Sequence, residues 1–136
     1  SMVDWLFSGV FDRFPGIQLL YAESQIGWIP YFVERADDTW QTHQWAQGEE
    51  RSQRPPSDYY REHISACFFK DTVGIDLLDR IGEDNVLFET DYPHQDGTFP
   101  RSKQVAEELF GHLPQPTINK IARGNAIKLL GLDFEP

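Results

Sequence analysis

Cysteine is almost absent from this 136-residue chain: Cys67 stands alone. One thiol cannot build a disulfide framework within the chain, so a reducing, cytoplasmic setting is the expectation. Its neighbours over 64–69, Ile-Ser-Ala-Cys-Phe-Phe, are those of an apolar strand. A buried, inert thiol is therefore expected rather than a nucleophile. Basic residues are scarce too, 12 against 22 acidic, for a net charge of −10. Nucleic acids and anionic membranes are held through Lys and Arg, so neither is an expected partner. The acids are spread along the chain and not gathered in a tail, which is the pattern of a solvated surface. No apolar run reaches the roughly 18 residues of a membrane span, and no signal-peptide pattern is visible. Histidine is limited to His43, His63, His94 and His112, with no His-x-His or His-x-x-x-His pair.

The elements that remain alternate. Residues 3–14 read as a helix, with Leu6, Val10 and Phe14 on one face and Pro15-Gly16 ending it. A short strand over 17–22 follows. The next helix starts near Trp28, with Pro30 in its first turn and Trp28, Phe32, Ala36 and Trp40 at four-residue spacing. Residues 41–58 are polar, closed by Pro55-Pro56, and read as a loop excursion; within it, Arg51 to Arg54 with Glu49-Glu50 reads as a solvated charge run. A strand over 64–69 leads to a helix marked by Ile75, Leu78 and Ile81, and Gly82 stops it. After a strand over 86–89 come an amphipathic helix over 102–110 and two short helices, 116–123 and 125–130, broken at Gly124 and ended by Gly131. Strands separated by helices predict a parallel sheet with right-handed crossovers. The expected class is α/β, a single domain over 1–136. A closed (β/α)8 barrel takes about 250 residues, so the chain alone is too short to close one.

The richest stretch is Val86-Leu87-Phe88-Glu89-Thr90-Asp91-Tyr92-Pro93-His94. Three apolar residues make a short strand, and Pro93 forbids its continuation inside a sheet. A carboxylate and an imidazole then lie just past a strand's carboxyl end, where α/β folds place chemistry. Glu23 and Asp71 lie at the ends of the other two strands. Parallel strands two apart are separated by roughly 10 Å, so Glu23 and Asp91 can converge on one ligand. Strand-to-helix turns also favour acids as helix caps, and that is the reading for Asp71. Glu23 and Asp91 as a metal-free acid/base pair is a further alternative. Trp28, beside Glu23, either walls a substrate pocket or packs on Phe32.

Three motifs carry a family resemblance. They are Phe88-Glu89-Thr90-Asp91-Tyr92-Pro93-His94 with Asp96-Gly97 and Phe99-Pro100; Phe14-Pro15-Gly16 through Glu23-Ser24, then Gly27-Trp28-Ile29-Pro30; and Ala122-Arg123-Gly124-Asn125-Ala126 in the tail. Together they resemble the carboxyl-terminal part of the metal-dependent amidohydrolase family, in its amidohydrolase-2 and aminocarboxymuconate-semialdehyde decarboxylase-like branch. The resemblance implies a partial (β/α)8 TIM barrel, about its last three βα units, with parallel strands near 17–22, 64–69 and 86–89 and helices behind them. It implies a hydrolase or non-oxidative decarboxylase acting on a small organic molecule. Asp91 would be the ligand of a divalent metal, zinc with manganese as the alternative, and would carry protons to and from the substrate. Glu23 stands where decarboxylase-like members have a histidine, and would serve as acid, base or ligand-orienting group. His94 and Trp28 would contact substrate. The family's His-x-His pair and its mid-barrel histidine have no counterpart here. Either no metal binds this chain alone, or other ligands come from a missing amino-terminal half or a second copy. The alternative is an inactive truncated module that self-associates through its open sheet edges.

Overall fold

The computed structural model describes residues 2–46, 48 and 51–134. Two short helices, α1 (Met2–Phe7) and α2 (Val10–Arg13), precede β1 (Leu19–Tyr21) and α3 (Ile29–Thr42). A 3-10 turn (Gln44–Ala46) and α4 (Pro56–His63) lead into β2 (Ile64–Phe68). Then come α5 (Thr72–Asp76), α6 (Leu78–Ile81), β3 (Val86–Phe88) and α7 (Ser102–Phe110). The tail is α8 (Gln115–Asn119), a π turn (Lys120–Gly124) and α9 (Asn125–Leu130).

The strands form one parallel sheet in the order β1-β2-β3, with Leu20 opposite Ser65 and Cys67 opposite Leu87. β2 is buried at every position, as a central parallel strand must be. Alternation sends Ile64, Ala66, Phe68 and Val86 into the main core under the helices. Leu20, Ser65, Cys67 and Leu87 lie on the opposite face, where Leu20 is 40% exposed. Two unequal faces and, among the described residues, two outer strands each paired with a strand on one side only are what part of a barrel presents. Phe68, Phe88 and Phe110 meet edge-on with ring centres 5.4–6.0 Å apart, which seats α7 against the sheet.

Several boundaries differ from the sequence expectation, each for a local reason. The helix expected over 3–14 is two, because Gly9 turns left-handed (φ 68°) and Ser52 inserts there. The Ser52 hydroxyl donates to the Leu6 carbonyl and accepts the Gly9 N–H at 3.3 Å. The 41–58 excursion is shorter than expected: α3 runs to Thr42 and α4 begins at Pro56. Nor is 51–54 a solvated charge run. Ser52 is buried, and Arg54 forms two 2.7 Å bonds to the Glu62 carboxylate while lying over the Tyr59 ring. Glu49-Glu50 lie outside the described residues. The helix expected around 75–81 is split at Leu77 into α5 and α6. The strands expected over 17–22, 64–69 and 86–89 are each a residue or more shorter, since the flanking residues turn into the loops.

Gly124 does not break the tail. Its φ and ψ are helical, and α8 runs through the π turn into α9; Gly131, left-handed at φ 61°, is the stop. This continuity delivers Asn125 to the sheet. Asn85 and Glu89 pair with β2, so the Val86 carbonyl points to the free edge of β3. The Asn125 amide donates to that carbonyl at 2.8 Å and to the Glu83 carbonyl at 2.7 Å. Asn125→Ala strips both carbonyls of a partner in a buried place and is expected to destabilise the chain by roughly 2 kcal/mol. Urea unfolding reads this directly, and an unchanged midpoint would contradict the role.

Candidate functional site

The carboxyl ends of the three strands make one rim, and their loops leave the sheet in unusual conformations. Glu23, Gln25 and Asp91 all have φ near +53°. That left-handed region costs side-chain-bearing residues roughly 1–3 kcal/mol, so neighbours must hold it. After β1 the hold comes from two acids. The Asp71 carboxylate accepts the N–H groups of Ile26 and Gly27, both at 2.6 Å, and of Gly74 at 2.8 Å. It is the N-cap of α5, as expected, and it also fastens the loop after β1. Gly27 and Gly74 permit this approach, since a Cβ at either would come within 2.9 Å of the carboxylate. The second acid is Glu89, whose Oε1 accepts the Glu23 N–H at 2.7 Å.

These turns bring Glu23, Asp91 and His94 together. Each offers one ligand atom, and all three atoms lie within 4.8 Å of one another. His94 Nδ1 is 3.0 Å from Asp91 Oδ2; the imidazole is largely exposed, whereas the Asp91 side chain is only 7% exposed. The loop that carries them is braced by Lys70, whose ammonium donates to the Asp96 carbonyl at 2.5 Å. Thr98 N–H closes the loop onto the Thr90 carbonyl at 2.9 Å. Peptide bonds 92–93 and 99–100 are cis. Two carboxylates and an imidazole form a donor set suited to zinc or manganese.

Glu89 stands behind this cluster with no role foreseen in the sequence. Burial pushes its carboxyl above the usual range, the Glu23 N–H bond opposes this, and the charges of Glu23 and Asp91 add to the rise. Cys67, buried and free, has its thiol pushed up to about 12, chiefly by burial and then by the charge of nearby Glu89. It is the inert strand cysteine expected. The one available sequence signal for Glu89 was periodicity: it is two residues from Leu87 and so shares the face of Cys67.

Trp28 is beside the cluster and not in it. Its ring meets Phe32 edge-on at 5.4 Å, its N–H donates to the carbonyls of Ser24 and Gln25, and 39% of it remains exposed. Packing on Phe32 is what that position shows. His63 is buried at the far end of β2, its Nδ1 2.9 Å from the Ile17 carbonyl, while His43 and His112 are exposed. Among the described residues no helix is long and apolar enough to cross a membrane.

Solved structures with the same fold are amidohydrolases and decarboxylases. An amidohydrolase from Mycobacterium avium subsp. paratuberculosis K-10 is 26% identical with a TM-score of 0.79, the match covering 96% of this chain and 32% of that one. The 5-carboxyvanillate decarboxylase of Sphingomonas paucimobilis is 22% identical with a TM-score of 0.77, covering 93% and 37%. A dihydroxybenzoic acid decarboxylase from Polaromonas sp. JS666, solved with bound manganese and the inhibitor 2-nitroresorcinol, is 23% identical with a TM-score of 0.74, covering 98% and 40%. The chain thus spans about a third to two fifths of the structures it matches. Its sheet and helices are part of a (β/α)8 barrel. The amidohydrolase family model matches residues 1–132, and the chain belongs to that family.

Proposed function

We propose that the chain carries part of the divalent-metal site of a hydrolase or non-oxidative decarboxylase acting on a small organic substrate. The observation that carries this reading is the convergence of Glu23, Asp91 and His94 to within 4.8 Å at the strand-end rim. In this reading Asp91 is a metal ligand and the group that holds and passes protons near the substrate. Glu23 works beside it as acid or base and as a ligand atom. His94 orients the Asp91 carboxylate and, with Trp28, faces the substrate. A bound divalent cation supplies Lewis acidity there. Manganese suits the two carboxylates and zinc the imidazole. The remaining ligands and barrel strands would come from another segment of a longer protein or from a second copy.

Titration of the metal-free chain with Mn2+ tests the assignment. Saturable binding of one ion per chain, stripped by a chelator, is expected at a dissociation constant of about 0.1–1 mM, the weak end of the range spanned by oxygen-ligand cation sites. No saturable binding would sink the three residues as cation ligands.

One observation favours a second reading, an inactive module that self-associates. Among the described residues β1 is an edge strand with no partner on its outer side, its Leu20 is 40% exposed on the face turned away from the helices, and such edges invite pairing. The β3 edge is blocked at Val86 by Asn125, which leaves β1 as the pairing edge. Solution mass separates the readings: a stable monomer at micromolar concentration leaves no place for the module.

A further inference from the structure

We infer that Glu89 is the positioning residue of the rim, a crossbar that holds Glu23 against Asp91 and His94; this rests on the proposed cation site. The geometry begins with the strand order. Glu23 follows β1 and Asp91 follows β3, with the whole of β2 between them. No hydrogen bond of the sheet ties β1 to β3. Glu89 does, because its side chain lies on the sheet face that carries Cys67 and reaches across β2 to the loop after β1. Its Oε1 accepts the Glu23 N–H at 2.7 Å, a bond spanning 66 residues of sequence.

Beneath the span lies Cys67 of β2, opposite Leu87 and on the same sheet face. The bond to Glu23 falls on the backbone of a residue at φ 53°, a conformation that a long side chain does not favour by itself. Fixing that N–H fixes where the Glu23 side chain leaves the chain. Glu89 belongs to the same strand end as Asp91, two residues earlier. Glu89 is not among the groups whose ligand atoms converge. Its action is through Glu23, by a single charge-assisted hydrogen bond.

Glu89→Ala and Glu89→Gln of the 136-residue chain test this, since glutamine keeps an oxygen acceptor for the Glu23 N–H and alanine does not. Two readouts are taken: the Mn2+ dissociation constant, and the proton shift of the Glu23 amide in metal-free protein. In the wild type that amide is expected downfield, as a donor to a carboxylate is. Glu89→Ala is expected to move it upfield and to weaken Mn2+ binding at least about tenfold, the usual effect of losing a partner behind a metal ligand. Glu89→Gln is expected to keep part of the downfield shift and to lose less affinity than alanine does. Equal losses in both variants would mean that charge alone matters, and the crossbar would be overturned. So would an unmoved Glu23 amide in Glu89→Ala. If wild-type chain binds no Mn2+, the proposed cation site falls, and the Glu23 amide by itself decides the crossbar: a shift in the alanine variant supports it and no shift ends it.

Discussion

Asp71→Ala is expected to destabilise the chain by roughly 3–5 kcal/mol, lowering the thermal midpoint by about 10–20 °C. The size follows from the number and kind of bonds lost. One carboxylate accepts three backbone N–H groups, at 2.6, 2.6 and 2.8 Å. Hydrogen bonds to a charged group contribute roughly 1.5–3 kcal/mol each, though less than additively when they share one acceptor. Two of the donors lie in the loop after β1 and the third in the first turn of α5, so removal of the carboxylate frees two elements at once. Ile26, wholly buried beside the loop, loses its anchor together with its N–H partner. Asp71→Asn keeps one acceptor oxygen and should fall between wild type and alanine. Urea and thermal unfolding of the three proteins check this; a loss below about 1 kcal/mol in the alanine variant would show that water replaces the carboxylate freely.

Asp91→Asn is expected to do the opposite: to leave stability within about 1 kcal/mol of wild type while weakening Mn2+ binding more than tenfold. Asparagine tolerates the left-handed φ of 53° as well as aspartate does, so the turn survives. The native carboxylate is only 7% exposed, and His94 at 3.0 Å is its neighbour while Glu23 and Glu89 bring charge of the same sign. An anion so placed among anions does little for folding, and its replacement by a neutral amide costs little. A neutral amide is a much poorer partner for a divalent cation, so binding should suffer where stability does not. Loss of stability exceeding the loss of cation affinity would make Asp91 a structural residue. Unchanged Mn2+ binding would remove it from the ligand set.

The two substitutions separate the parts of the rim that were legible in the sequence from those that were not. Asp91 announced itself by following three apolar residues and preceding Pro93, a local pattern needing no distant partner. Asp71 showed only its local half, the helix cap; its grip on Ile26 and Gly27, 45 and 44 residues earlier, had no sequence signal. Glu89 was overlooked because an acid at the end of a short strand looks like solvent-facing polarity until the neighbouring strands are in place. The split of the first helix at Gly9 was hidden for the same reason, since Ser52 reaches it from 43 residues away.

Alternating apolar strands and amphipathic helices determined, by themselves, that the sheet is parallel and that its acidic strand ends share one rim. Those features follow from side-chain periodicity and from the chirality of crossovers, both of which act over a few residues. The sequence also determined that Cys67 would be inert, because its apolar neighbours bury it in β2. Only the tertiary structure decided that Glu23, Asp91 and His94 converge, that Glu89 ties the outer strands together, and that Asn125 closes the β3 edge. Convergence depends on strand register and on left-handed residues in two loops, and the loop after β1 is held by hydrogen bonds from residues far along the chain. A sequence pattern carries the period of an element, but the distance between two loops is a property of the packed whole.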